Sequence, residues 1–175
     1  MIVIWTVLII LIICFGLVVF HGSPYVPTRK KHLHQALTEL YKIDKNDVLV
    51  DIGSGDGAVL REAASLGARA IGYEINPVLV FLSRFLSRKH KKITINFADF
   101  WFISLPKSTT VIYVFSVSRD MKNIVKLIQK QVNHLNKPLY LISYGNSIDV
   151  MEPIKTVGAY TLYMIKPLQP HKAQV

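Results

Sequence analysis

An α/β chain built on a doubly wound, mostly parallel sheet is what three features of this sequence predict. β-branched apolar runs near 47–51, 69–74, 93–97, 111–115 and 139–143 alternate with helical stretches near 58–66, 77–89 and 120–134. Such alternation implies parallel strands joined by right-handed crossovers. The first three runs each close on an acid, Asp51, Glu74 and Asp99. Directly after the first acid a glycine recurs at every second position, in Asp51-Ile52-Gly53-Ser54-Gly55-Asp56-Gly57. Val157 to Lys166 reads as a last strand, with Gly158-Ala159 as a bend. The expected fold is therefore Rossmann-like, with a terminal antiparallel strand, and one transmembrane helix is expected ahead of it. The corresponding divisions are 1–21 for the anchor, 22–46 for a connector and N-terminal helix, and 47–170 for the folded domain.

The expected anchor is Ile2 to Phe20, nineteen residues in which only Thr6 and Gly16 interrupt the apolar run. At about 1.5 Å per residue this is roughly 28 Å, the thickness of a hydrocarbon core. A cleavable signal peptide would begin with a basic region and carry a shorter core, whereas here the apolar run starts at residue 2. A lipoprotein signal would need a small residue before Cys14, where Ile13 stands. The 21 basic and 11 acidic residues all lie at or beyond Arg29, so the body is basic and its leader uncharged. Arg29, Lys30 and Lys31 follow the apolar run. The positive-inside rule then puts the body in the cytoplasm, or on the matrix side in a mitochondrion. With Cys14 the lone cysteine, disulfides and cysteine-based metal sites are excluded.

His21 to Thr28 reads as a stiff extended connector, because Pro24 and Pro27 fix φ and disfavour helix before them. Thr28 is placed to cap a helix from Arg29 to Tyr41 that gathers Leu33, Ala36, Leu37 and Leu40 on one face. A strand, a glycine turn and a helix then follow at 48–64. Such a turn lets the backbone approach a nucleotide-like ligand, since glycine carries no side chain and accepts positive φ. Two cofactor classes use it. The spacing Gly53, Gly55, Ala58 satisfies the loose dinucleotide fingerprint. Asp51 favours the other class: a pyrophosphate gains nothing from a carboxylate there, while the cationic ammonium of S-adenosyl-L-methionine does. Glu74 lies twenty-three residues after Asp51, the distance at which the adjacent strand ends and its acid can accept ribose hydroxyls. Ribose is common to both cofactors. Asp99, after Ile93 to Phe97, is placed to hold an adenine amino group.

At these residues the chain resembles a family. Asp-Ile-Gly-Ser-Gly-Asp-Gly at 51–57, Gly-Tyr-Glu-Ile-Asn-Pro at 72–77 and Asp-Phe-Trp at 99–101 look like the class I methyltransferases. Pro24-Tyr25-Val26-Pro27-Thr28 and Ser83-Arg84-Phe85 narrow the resemblance. They are similar to stretches of the small membrane-anchored protein-lysine methyltransferases that act on the ATP synthase c subunit and the adenine nucleotide translocase. It implies that Asp51, Gly53, Gly55, Gly57, Glu74, Asn76, Asp99 and Phe100 hold S-adenosyl-L-methionine. On the substrate side it points to Tyr25, Pro27, Thr28, Trp101 and Ser116. The chain departs from the subfamily at Ser143-Tyr144-Gly145-Asn146-Ser147, where an Arg-Phe-Pro-Phe-Pro-like stretch is expected.

Methyl transfer to an amine mainly requires positioning of a lone pair opposite a sulfonium. A lysine acceptor must first lose its proton, to a base or by desolvation. No residue announces itself as that base. The fourth strand ends Val114-Phe115-Ser116-Val117-Ser118, without the Asn/Asp-Pro-Pro-Tyr signature that holds a nucleobase amine, so no nucleic-acid partner is expected. The basic run Arg84, Arg88, Lys89, His90, Lys91 and Lys92 reads either as a solvated helix end or as a surface for anionic lipid. His21, His32 and His34 lie near the connector with too few acidic partners to suggest a metal site, and none is expected. The function expected is N-methylation of a lysine in a membrane protein. Methylation of a lipid or lipid-soluble small molecule, and a non-catalytic membrane scaffold, are the alternatives.

Overall fold

The computed structural model describes residues 1–6, 8–9, 30–115, 118–145, 147–148 and 151–168. Helix α1 (Lys30–Gln35) continues into one turn of π-helix, Ala36–Leu40. Then come β1 (Val48–Ile52), α2 (Ala58–Ser65), β2 (Arg69–Glu74), α3 (Pro77–Ser87) and β3 (Ile93–Phe97). A short 3-10 turn, Phe100–Phe102, leads to β4 (Val111–Phe115), α4 (Ser118–Leu135), β5 (Leu139–Tyr144), β6 (Lys155–Val157) and β7 (Tyr160–Ile165).

The seven described strands form one sheet in the order β3-β2-β1-β4-β5-β7-β6. The first five are parallel, and β7 pairs antiparallel with both β5 and β6. The single terminal strand expected at 157–166 is thus a hairpin, turning at Gly158 with φ 59°. The chain order reverses between β1 and β4, and ligands of doubly wound sheets bind beyond the strand ends at such a reversal.

Alternation along the strands sends residues to two cores. Leu49, Val111, Ile142 and Leu162 face the layer made by α1, α2 and α3, joined by Leu37, Leu60 and Val80. Val50, Ile112, Leu141 and Ile165 face α4, which contributes Met121, Ile124, Ile128 and Val132. The continuous apolar runs of β1 and β4 follow from this burial on both sides.

One expectation is corrected. Among the described residues no helix is long and apolar enough to cross a membrane, so a transmembrane helix preceding the domain is not supported. Residues 2–6 and 8–9 are helical. Residue 7 and residues 10–20 of the expected span lie outside the described residues, as does the connector to residue 29.

Candidate active site

The site forms where β1 and β2 end side by side. In parallel register Asp51 lies opposite Gly72 on β2 and Tyr113 on β4. Beyond β1 the backbone turns through Gly53, Gly55 and Gly57, with φ of 76°, 53° and 80°. Those left-handed values are accessible to glycine and costly for most other residues, which is why the alternate glycines of the sequence form a turn. The N–H groups of Gly53 and Ser54 both donate to the Tyr73 carbonyl, at 2.9 and 3.0 Å, pinning the turn to β2. A Cβ at Gly53 would point into open space, leaving that side of the turn free for a ligand. At Gly72 a Cβ would stand 2.5 Å from Ser54 Oγ and 2.6 Å from Leu60 Cδ1. Gly72 is what lets the turn and α2 sit down on β2.

Glu74 is buried and clamps the two turns together. Its Oε2 accepts the Gly55 N–H and its Oε1 accepts the Asn76 N–H, both at 2.8 Å. Two backbone donors satisfy one lone pair on each oxygen and leave the others for hydroxyl donors. Asn76 caps α3, its Oδ1 accepting the Val78 N–H at 2.9 Å with Pro77 in the first turn. The Asn76 amide nitrogen is buried without a partner among the described residues. Asp56 accepts the Ala58 N–H at 3.0 Å and pairs with Arg61 at 3.2 Å, so it braces the start of α2.

Asp51 is different. It is 2% exposed, and among the described residues nothing donates a hydrogen bond to it. Burial pushes its pKa well above the ordinary aspartate range, and the nearby carboxylates of Glu74 and Asp56 push the same way. An unpartnered buried carboxylate is costly to ionise. A cationic ligand group placed over it would remove that cost, and a phosphate would add to it.

Asp99 lies two residues past β3, where its Oδ1 accepts the Trp101 N–H at 3.0 Å and caps the 3-10 turn. Phe100 and Trp101 stack tilted with ring centroids 4.6 Å apart, and Trp101 and Phe102 are exposed. The expected cofactor residues therefore gather around the ends of the first three strands. Tyr25, Pro27, Thr28 and Ser116 lie outside the described residues.

Sequence reasoning missed an aromatic layer on the same face of the sheet as Asp51. Tyr113 lies 6.3 Å from Tyr160 between ring centroids, Tyr160 stacks on Tyr144 at 4.6 Å, and Tyr144 meets Phe115 at 5.5 Å. Burial, the neighbouring Tyr160 and the Asp51 carboxylate push the Tyr113 phenol far up, and burial takes Tyr160 to about 12. Both are neutral at physiological pH. The signal was available: Tyr113 and Phe115 share the strand parity that Asp51 has on β1.

Known proteins agree with this geometry. No family model matches the chain. The Xenopus laevis lysine N-methyltransferase named for the ATP synthase c subunit is 34% identical over 112 residues, covering 62% of this chain and 48% of that protein. The human protein of the same name is 31% identical over 112 residues, covering 62% and 47%. A solved structure, an RNA methyltransferase from Salinibacter ruber in complex with S-adenosyl-L-homocysteine, superposes with a TM-score of 0.74. It is 25% identical and covers 84% of this chain and 98% of its own.

By sequence and by fold the chain is similar to S-adenosylmethionine-dependent methyltransferases. The resemblance read from 51–57, 72–77 and 99–101 holds, and S-adenosylmethionine is the cofactor these likenesses support. The chain spans about half the length of the curated lysine methyltransferases it matches.

Proposed function

We propose that this chain transfers a methyl group from S-adenosylmethionine to a lysine side chain of a membrane protein, with the ATP synthase c subunit the first candidate. The carrying observation is the buried Asp51, without a hydrogen-bond donor among the described residues, beneath a glycine turn that Glu74 holds open. The carboxylate of Asp51 pairs with the cofactor's ammonium, the free lone pairs of Glu74 take ribose hydroxyls, and Asp99 with Phe100 borders the base. When bound, the cofactor supplies a methyl group made electrophilic by its sulfonium. The chain then has to present a neutral amine in line with it. Phe115 and Tyr144 end β4 and β5 on the Asp51 face and make apolar surroundings there, in which a lysine ammonium gives up its proton more readily. The choice of a protein lysine is supported by the named relatives.

Methyl transfer to RNA is the second reading. It is favoured by the likeness to the Salinibacter enzyme and by the net charge of +10.

Asp51→Asn and Glu74→Gln should each weaken cofactor binding by about 1–3 kcal/mol in calorimetry. Asp51 also sets the sign of a pH dependence. Its folded pKa is raised, so the stability it contributes to the cofactor-free protein is full below the ordinary value of about 4 and is lost as pH rises through the raised value. Cofactor affinity moves the opposite way, because only the ionised carboxylate pairs with the ammonium. The Asp51→Asn variant, which has no proton to lose there, should flatten both profiles. Transfer of labelled methyl from the cofactor to membranes and to total RNA, read by peptide and nucleoside mass spectrometry, separates the two acceptors. Label on lysine supports the first reading; label confined to RNA overturns it. Calorimetry showing tight binding of a nicotinamide dinucleotide and none of the methyl donor would remove both.

A further inference from the structure

Helix α3 covers the sheet with a mixed face, Leu79 and Val80 beside two serines. The residues it buries include Ser83 and Ser87, whose hydroxyls have no partner among the described residues. Ser83 sits so close to the turn that a Cβ on Gly57 would clash with its Oγ. Four of its large apolar residues point outward. Phe81 is 74% exposed, Phe85 54%, and Leu82 and Leu86 40% each. At 100° per residue Phe81 and Phe85 fall on the middle of the outer face, with Leu82 and Leu86 along one flank. β3, the edge strand beside α3, adds Phe97, 60% exposed, on the same side of the sheet.

A basic rim accompanies this apolar stripe. Between Glu74 and Asp99 the chain has no acidic residue and carries Arg84, Arg88, Lys89, Lys91 and Lys92. Among the described residues none of the five forms an ion pair. Arg84 and Lys92 instead donate to the backbone carbonyls of Ile95 and Gly67, at 2.8 and 2.6 Å. Arg88 lies 4.4 Å from the centroid of the Phe85 ring, joining the cationic and apolar parts of the patch. Apolar patches rimmed by polar residues mark interaction surfaces.

We infer that the outer face of α3 docks on an anionic lipid bilayer, with Phe81 and Phe85 entering the acyl boundary and Arg88, Lys89 and Lys91 meeting phosphate headgroups. Charge complementarity selects this occupant. An apolar helix face with cations and no acid is what an anionic interface attracts. A second copy of the chain would bring the same uncompensated cations against each other, and β3-to-β3 pairing would do likewise. The inference concerns binding alone and needs no assignment of the methyl acceptor. It also differs from a spanning anchor, since the face belongs to the folded domain.

The test places an environment-sensitive fluorophore on the full chain at Phe81→Cys, with Cys14→Ser removing the other thiol. Vesicles of phosphatidylcholine alone are compared with vesicles that also contain phosphatidylglycerol. The expected result is a blue shift and quenching by brominated acyl chains on the anionic vesicles, absent on the neutral ones and reversed by salt. Replacing Arg88, Lys89 and Lys91 with glutamine should weaken this response about a hundredfold, at roughly fivefold for each charge removed. These residues are exposed, so an unchanged thermal transition confirms that the variant is folded. A label that stays water-exposed on anionic vesicles overturns the inference. So does a shift without lipid that grows with protein concentration, which would assign the face to a second copy. Methyl transfer is not part of the readout, so failure here leaves the enzymatic reading standing.

Discussion

Helices α3 and α4 cover opposite faces of one sheet and solve the task in opposite ways. α4 buries Met121, Ile124, Ile128 and Val132 and turns Lys122, Lys126, Lys130 and Asn133 to the outside. That is the stripe an amphipathic helix presents when only packing shapes it. α3 buries two serines beside Leu79 and Val80 and exposes two phenylalanines and two leucines. The difference follows from what lies underneath. α4 rests on the broad apolar faces of β4, β5 and β7, where volume stabilises. α3 starts after β2, capped by Asn76 and pressed against Gly57 of the glycine turn, where volume obstructs. Small residues keep α3 close to the glycine turn, and its large residues are left for another surface.

Truncation gives the widest contrast between the two helices. Ile128→Ala should cost about 2–5 kcal/mol of unfolding free energy, because a buried side chain is deleted from a close-packed core. Phe81→Ala removes a larger side chain and should stay within about 0.5 kcal/mol. Denaturant melts of the two variants check this, and equal losses would mean that Phe81 is packed against the body after all.

Filling the buried side of α3 comes next in size. Ser83→Leu should cost about 1–3 kcal/mol by overpacking and should also weaken cofactor binding, since the displaced neighbour is the turn at Gly57. Calorimetry on the folded variant reads the second effect; unchanged affinity would separate the helix from the site. The smallest expected change runs the other way. Ser83→Ala deletes a buried hydroxyl that has no partner among the described residues, and should leave stability unchanged or raise it by up to about 1 kcal/mol. A clear loss in thermal unfolding would reveal a partner for that oxygen.

The site was more legible than the surface around it. Asp51, Gly53, Gly55, Gly57 and Glu74 announce themselves because each answers a local demand: positive φ at the glycines, and an acid where a strand ends. Asn76 entered only through the resemblance at 72–77, and its capping of α3 came with the structure. Gly72 was quoted only as part of a resemblance, since its role depends on Ser54 and Leu60 arriving from the neighbouring turn and helix. The Tyr113, Tyr160, Tyr144 and Phe115 layer was missed because it joins residues distant in the chain through an antiparallel pairing.

What this sequence determined by itself is the parallel α/β order, the glycine turn and the acids around it, because strand period, glycine and carboxylate chemistry act over a few residues. It also raised the expectation of a spanning helix, which hydropathy alone carried and no described helix supports. Only the tertiary structure decided that Asp51 has no donor among the described residues, that Glu74 accepts two backbone N–H groups, and that α3 faces outward with its phenylalanines. Each of those outcomes depends on which neighbour fills the space beside a residue, and that is settled by packing between strands and helices distant in the chain.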